Sequence, residues 1–153
     1  KESLPMLIDH LVGYGLRDRV RVICSGKLIT PSGVAWALCM GADFIVSARG
    51  FMFSLGCIQA MQCNKNTCPT GITTHQKRLQ RGLDPLDKAM RVAHYVKNML
   101  HDVGVIAHSC GVKYPRQLQR RHARVVIYDG SSAGLNRIHP ETEIGFPHGK
   151  AKE

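Results

Sequence analysis

Apolar residues recur at Leu4, Leu7, Ile8 and Leu11, with Val12 beside them, at the spacing of one helix face that ends near Gly15. The pattern then changes. Val20 to Cys24 reads VRVIC, which is short, apolar and β-branched, and predicts a buried strand. After the turn SGKL, Thr30 can cap a helix with Pro31 at its first position; the helix continues through SGVAWALCM and stops at Gly41. Asp43 to Ala48, DFIVSA, predicts a second buried strand. A strand, a helix and a strand so closely spaced imply a parallel pair joined by a right-handed crossover. Two parallel strands need neighbours, so the expected class is α/β, with the pair belonging to a larger sheet or barrel.

The second half reads as mainly helical. Asp84 can cap a helix that has Pro85 at its first position, and Leu86, Ala89, Met90, Ala93, Val96, Leu100 and Val103 are expected on one face. GVKYPRQLQRR predicts a turn and a short helix. Residues 125–153 are polar and rich in turn formers, and predict an irregular or disordered tail. No apolar run approaches a membrane span, and no signal-peptide pattern opens the chain. The chain starts inside a helical pattern and lacks an initiator Met, so it is expected to be a piece of a longer protein.

Composition adds two facts. With 153 residues, 44% of them apolar, the chain could bury one domain-sized core. Lys and Arg total 21 against 11 acids, and the resulting charge of +10 suits a polyanion, an acidic protein partner or a solvated basic face. The six cysteines, without a secretory signal, point to a reducing compartment such as the cytoplasm, where clustered cysteines hold metal more often than they form disulfides.

Two loops and one cluster carry candidate chemistry. CSGKL and SARGF each follow a predicted strand, the place where barrels build active sites and, after their last two strands, phosphate sites. Gly26 would let the backbone approach an anion, Ser25 offers a donor, and Arg49 offers a charged fork. The candidate phosphate-binding residues are Ser25, Gly26 and Lys27 in the first loop and Ala48, Arg49 and Gly50 in the second. The alternative is that both loops are only turns. GCIQAMQCNKNTCPTGI then places Cys57, Cys63 and Cys68 with five and four residues between them. Thiolates suit zinc and iron–sulfur clusters, and three can grip a three-iron, four-sulfur cluster without a fourth. A zinc site completed by His75, or reduced thiols without metal, are the alternatives. Cys24, Cys39 and Cys110 lack this spacing, and the first two sit in apolar elements as core cysteines would. A basic zinc-binding nucleic-acid module, or a protein-interaction module, could use RQLQRRHAR (116–124) as its patch. Against nucleic acid, aromatics make up only 6%, too few for base stacking, and the cysteine spacing fits no common finger.

The stretch LRDRVRVICSGKLITPSGVAWALCMGADFIVSARGFMFSLGCIQAMQCNKNTCPTGITTHQ, Leu16 to Gln76, resembles the end of the flavin-binding synthase domain of glutamate synthases, in particular the stand-alone FMN-binding glutamate synthase family. The resemblance continues more loosely to about Arg124, and its most specific part is C-x5-C-x4-C-P-x-G, Cys57 to Gly71. It implies a (β/α)8 TIM barrel with FMN at its top, of which Val20–Cys24 and Phe44–Ala48 would be the last two strands. Residues 1–124 would then be the C-terminal portion of that domain and 125–153 its tail. The two loops fall where the family holds the FMN phosphate, and Cys57, Cys63 and Cys68 fall on the three ligands of its 3Fe-4S cluster. The implied reaction reduces 2-iminoglutarate, formed from 2-oxoglutarate and ammonia, to L-glutamate. Electrons would come from ferredoxin or an NADPH-dependent reductase subunit. No catalytic residue is assigned here, because the family's substrate and flavin-ring residues lie on earlier strands. Asn64, Asn66 and Thr67 would either donate hydrogen bonds to cluster sulfur or shape the turn. The large synthases have an acid–glycine pair at Ser25–Gly26 and Gly–Thr at Ala48–Arg49, which sets this chain in a related branch.

Overall fold

A computed structural model describes residues 3–128 and 130–145. Helix α1 (Ser3–Gly13) leads through a 3₁₀ turn to strand β1 (Ile23–Ser25), helix α2 (Pro31–Cys39), strand β2 (Phe44–Val46) and helix α3 (Ala48–Ser54). A long loop precedes the short α4 (Lys77–Gln80) and the long α5 (Pro85–Ser109), and two 3₁₀ turns lead to strands β3 (Arg124–Val126) and β4 (Ser132–Gly134) and helix α6 (Leu135–Ile138). The helix starts follow local chemistry. Gly33 N–H donates to Thr30 Oγ1 at 3.3 Å, and Leu86 N–H donates to Asp84 Oδ1 at 3.0 Å, each beside a proline that needs no donor partner. β1 and β2 pair in parallel, Ile23 with Phe44, Cys24 with Ile45 and Ser25 with Val46, so α2 is the crossover between them. No helix among the described residues is long and apolar enough to cross a membrane.

The core lies on one side of this pair. Leu4 and Ile8 of α1, Val22, Leu28, and Met40 just past α2 form it, with Leu135 contributed by α6. A second cluster of Ala35, Cys39, Ala107 and Leu118 seats α2 on α5.

Four expectations need correction. The strands are three residues long and buried on one face only: Cys24 and Ile45 pack inward, while Ile23, Phe44 and Val46 are 64%, 49% and 43% exposed. The reason is that α1 and α2 pack against one face, while on the other the Phe44 ring meets the Arg116 guanidinium 5.4 Å from its centroid. On α5, Val103 is buried and Val96 half-buried as expected, but Leu86, Ala89, Met90, Ala93 and Leu100 are exposed, and the packed side runs through Val92, Tyr95, Met99, Val103 and Ala107. The helix carries two apolar stripes, and contact with α2 and α3 selects one. The region expected to be irregular from residue 125 contains an antiparallel pair, Arg124–Val126 with Ser132–Gly134, and α6. Asp129 and residues 146–153 of that expected tail lie outside the described residues. Finally, the basic stretch 116–124 is partly spent inside the fold. Arg120 is buried, pairs with Asp9 at 2.6 Å and donates to the carbonyls of His139 and Pro140; Arg124 bonds to Ser132.

One buried ion pair ties the first turn to the strand pair. Asp43, whose side chain is 13% exposed, accepts from Arg17 at 2.8 Å and from the Val22 N–H at 2.7 Å. Burial alone would raise this carboxyl, but the Arg17 and Val22 hydrogen bonds and the charges of Arg17 and Arg21 hold it below the ordinary range. A carboxylate lowered by folding contributes stability that is fully present above its unfolded value, about 3.9, and lost as pH falls toward the folded one. Asp43→Asn should therefore cost about 1–2 kcal/mol at pH 7, because Arg17 keeps its bonds to the Val20 and Gly41 carbonyls but loses its charged partner. Urea unfolding at pH 7 and below about pH 3 checks this, since the gap from wild type should close in acid.

Candidate functional site

Parallel pairing makes the loops after β1 and β2 emerge at the same end, and they face one cleft of about 490 Å³. Ser25 closes β1, and the chain turns at Gly26 (φ +127) and Lys27 (φ 57). The backbone angle requires glycine at 26, and nothing lies within 4 Å of where a Cβ would project, so the peptide is open to a ligand. Beyond β2, Ala48 and Arg49 begin α3 and line the same cleft. Gly50 does not line it. This residue is buried on the far side of the helix, where a Cβ would run into the Tyr95 hydroxyl. The cleft walls are apolar, formed by Leu28, Val46, Met52, Phe53 and Ile58, and the exposed cations Lys27 and Arg49 stand at its rim. Such a lining suits an aromatic ligand that carries an anionic group.

The third wall is the cysteine loop. Cys57, Cys63 and Cys68 all line the cleft as free thiols, Cys63 exposed and the other two half-buried. Gln59, Met61 and Asn66 hold positive φ values of 55°, 55° and 59°, a cost the surroundings must offset. Asn66 shows how: its Oδ1 accepts the His75 N–H at 2.6 Å, and its carbonyl accepts Thr74 Oγ1 at 2.7 Å and Gln76 Nε2 at 3.0 Å. Asn66 thus shapes the turn, as does Thr67, which donates to Gln62 Oε1 at 3.2 Å; Asn64 is exposed. His75 does not line the cleft. Among the described residues no three His, Cys, Asp or Glu side chains converge as ligands of a single metal ion would. What the three thiols share is the lining of one cleft.

The hydroxyls beside sulfur are ones the sequence reading missed. Thr70 Oγ1 lies 3.3 Å from Cys68 Sγ. The Thr70 hydroxyl contributes most, followed by the Thr73 backbone, and together they outweigh burial and lower the Cys68 thiol to about 6. Thr73 Oγ1 is buried without a formed hydrogen bond, though it lies near enough to favour the thiolate. These contacts favour the thiolate of Cys68, the form that binds metal. The signal was present in the sequence as threonines two and five residues after Cys68. Outside the cleft loop, burial pushes Cys39 up to about 11, with Cys110 adding to the effect, and raises Cys24, as befits core thiols.

Fold and cleft define an α/β protein whose cleft is lined by three thiols and two strand-end loops. Residues 2–113 match the family model described as a conserved region in glutamate synthase, and the chain belongs to the glutamate synthase family. It is 40% identical over 136 residues to the glutamate synthase large subunit-like protein YerD of Bacillus subtilis (strain 168), covering 89% of this chain and 26% of YerD. It is 30% identical over 111 residues to the archaeal glutamate synthase (NADPH) of Methanocaldococcus jannaschii, covering 72% of this chain and 22% of that protein. A ferredoxin-dependent glutamate synthase 2 of Synechocystis is 41% identical over 66 residues, 43% of this chain and 4% of that protein. The chain thus spans about a quarter of the length of the first two curated relatives.

Proposed function

We propose that this chain is the C-terminal part of the synthase domain of a glutamate-synthase-like oxidoreductase, with residues 1–124 ending a (β/α)8 barrel. The observation that carries the reading is the meeting of both strand-end loops and all three cysteines in one cleft. Ser25, Gly26, Lys27, Ala48 and Arg49 would hold the phosphate of FMN: Lys27 and Arg49 neutralise it, and the open Gly26 peptide lets it approach. Gly50 serves the same site indirectly, by admitting Tyr95. Cys57, Cys63 and Cys68 would hold a 3Fe-4S cluster, with the Thr70 hydroxyl against Cys68 sulfur tuning it. When bound, the flavin supplies hydride chemistry and the cluster supplies electrons for reducing 2-iminoglutarate, from 2-oxoglutarate and ammonia, to L-glutamate. The exposed Ile23, Phe44 and Val46 would be covered by the remaining barrel strands. The electron donor would be ferredoxin or an NADPH-dependent reductase subunit, in keeping with the names of the relatives. A cytoplasmic location would keep the thiols reduced.

Flavin retention in the full-length protein tests this. Arg49→Ala should weaken FMN binding by about 1.5–3 kcal/mol through loss of a charge-assisted hydrogen bond. Gly26→Val should weaken it further, because it blocks the peptide and cannot adopt the local φ. Bound flavin is read from visible absorption after desalting; unchanged occupancy in both variants would reduce these loops to plain turns and sink the reading.

A further inference from the structure

We propose that Tyr95 is a positioning residue for the phosphate subsite, its hydroxyl fixing the spacing of the two strand-end loops; this rests on the flavin reading above. Tyr95 lies on α5, far along the chain from both loops, yet its hydroxyl sits between them. It donates to the Ile29 carbonyl at 3.0 Å, four residues beyond Ser25, and lies 2.8 Å from Ser47 Oγ, immediately before Ala48. A phenol has one proton. Because that proton goes to Ile29, the Ser47 hydroxyl is the donor in the second bond. The three groups form a hydrogen-bonded chain from one loop root to the other.

Three features show that the fold is arranged around this hydroxyl. Ser47 occupies the N-cap position of α3, a favoured place for serine to cap, yet its side chain makes no cap bond and goes to Tyr95. Gly50, one turn along, is buried where any side chain would meet the tyrosine oxygen. The ring stands edge-on to Phe51 at 80°, with centroids 5.5 Å apart, which fixes its direction. An anion gripped by Lys27 from one loop and Arg49 from the other depends on the distance between those loops, and Tyr95 ties them together behind it.

Tyr95→Phe keeps the ring and removes only the hydroxyl. Full-length, flavin-free protein is titrated with FMN and with riboflavin, which has the same ring and no phosphate, following quenching of flavin fluorescence. FMN affinity should fall about tenfold while riboflavin affinity stays within roughly twofold of wild type. Ser47→Ala should cause the same selective loss to a smaller degree. Unchanged FMN affinity in both variants overturns the proposal, and so does an equal loss for both flavins, which would signify a general packing defect. If the wild type itself binds riboflavin as tightly as FMN, the phosphate subsite falls, and the flavin-phosphate reading falls with it.

Discussion

Replacing any one of Cys57, Cys63 or Cys68 with serine in the full-length protein should remove most of its iron and acid-labile sulfide. The three thiols line one cleft, so losing one opens a three-point site rather than weakening it by a third. Serine keeps the size of the side chain but replaces a soft, readily ionised ligand with a hydroxyl that stays protonated at neutral pH. The loss should be most complete at Cys68, whose thiolate is already stabilised by Thr70 and Thr73. Iron and sulfide are measured after anaerobic reconstitution. Wild-type protein holding stoichiometric zinc and no sulfide would replace the cluster with a zinc site, and a full complement of iron in all three variants would deny the cysteines any ligand role.

Gly71→Ala should be the most damaging small substitution in the cysteine loop. Gly71 has φ +81, and an added Cβ would press into the Leu79 carbonyl and lie 3.1 Å from Gln80 Cα. Both obstacles are backbone, so neither can rotate aside. Strain and clash together should cost on the order of 3 kcal/mol. Gly71 follows Cys68 by three residues and donates its N–H to the Cys68 carbonyl at 3.2 Å, so the displacement should also reach the third thiol. Gly104→Ala is the matched control: it lies inside α5 with nothing within 4 Å of the added Cβ, and should stabilise by about 0.5–1 kcal/mol. Urea unfolding and iron content are read for both. Equal stability and iron in Gly71→Ala and wild type would mean that the loop rearranges freely and is no clamp.

Much of the framework was legible because it depends on neighbours in sequence. Thr30 before Pro31 and Asp84 before Pro85 announce helix starts through bonds spanning three residues or fewer, and the strand pair with its crossover follows from a short β-branched run on either side of one helix. The bunching of cysteines also needs no third dimension. What escaped depends on distant contacts. Leu86, Met90 and Leu100 form as good an apolar stripe as Val92, Tyr95 and Met99, and only the position of α2 and α3 decides between them. Tyr95 reads as an ordinary helix residue until Ile29 and Ser47 are seen on either side of its hydroxyl. Gly50 resembles a loop glycine beside a phosphate site, but the space it leaves is filled by that same tyrosine. The turn-rich stretch after Arg124 conceals a hairpin because its pairing is held partly by Arg124 reaching Ser132, and its buried apolar side chain, Leu135, is inconspicuous in a polar run.

Helix α5 serves two distant tasks with one rigid rod. Tyr95 reaches the cleft loops from one half, and Val103 and Ala107 are buried from the other. Its 25 residues span about 37 Å. Each residue added or removed between these two points would turn one half against the other by about 100°. A single-residue insertion there would leave either the tyrosine pointing away from its loops or the buried alanine facing water. Descendants of this sequence can therefore vary α5 freely in its outward side chains but not in its length between Tyr95 and Val103. A residue gained or lost before Asp84 or after Cys110 would leave that phase untouched.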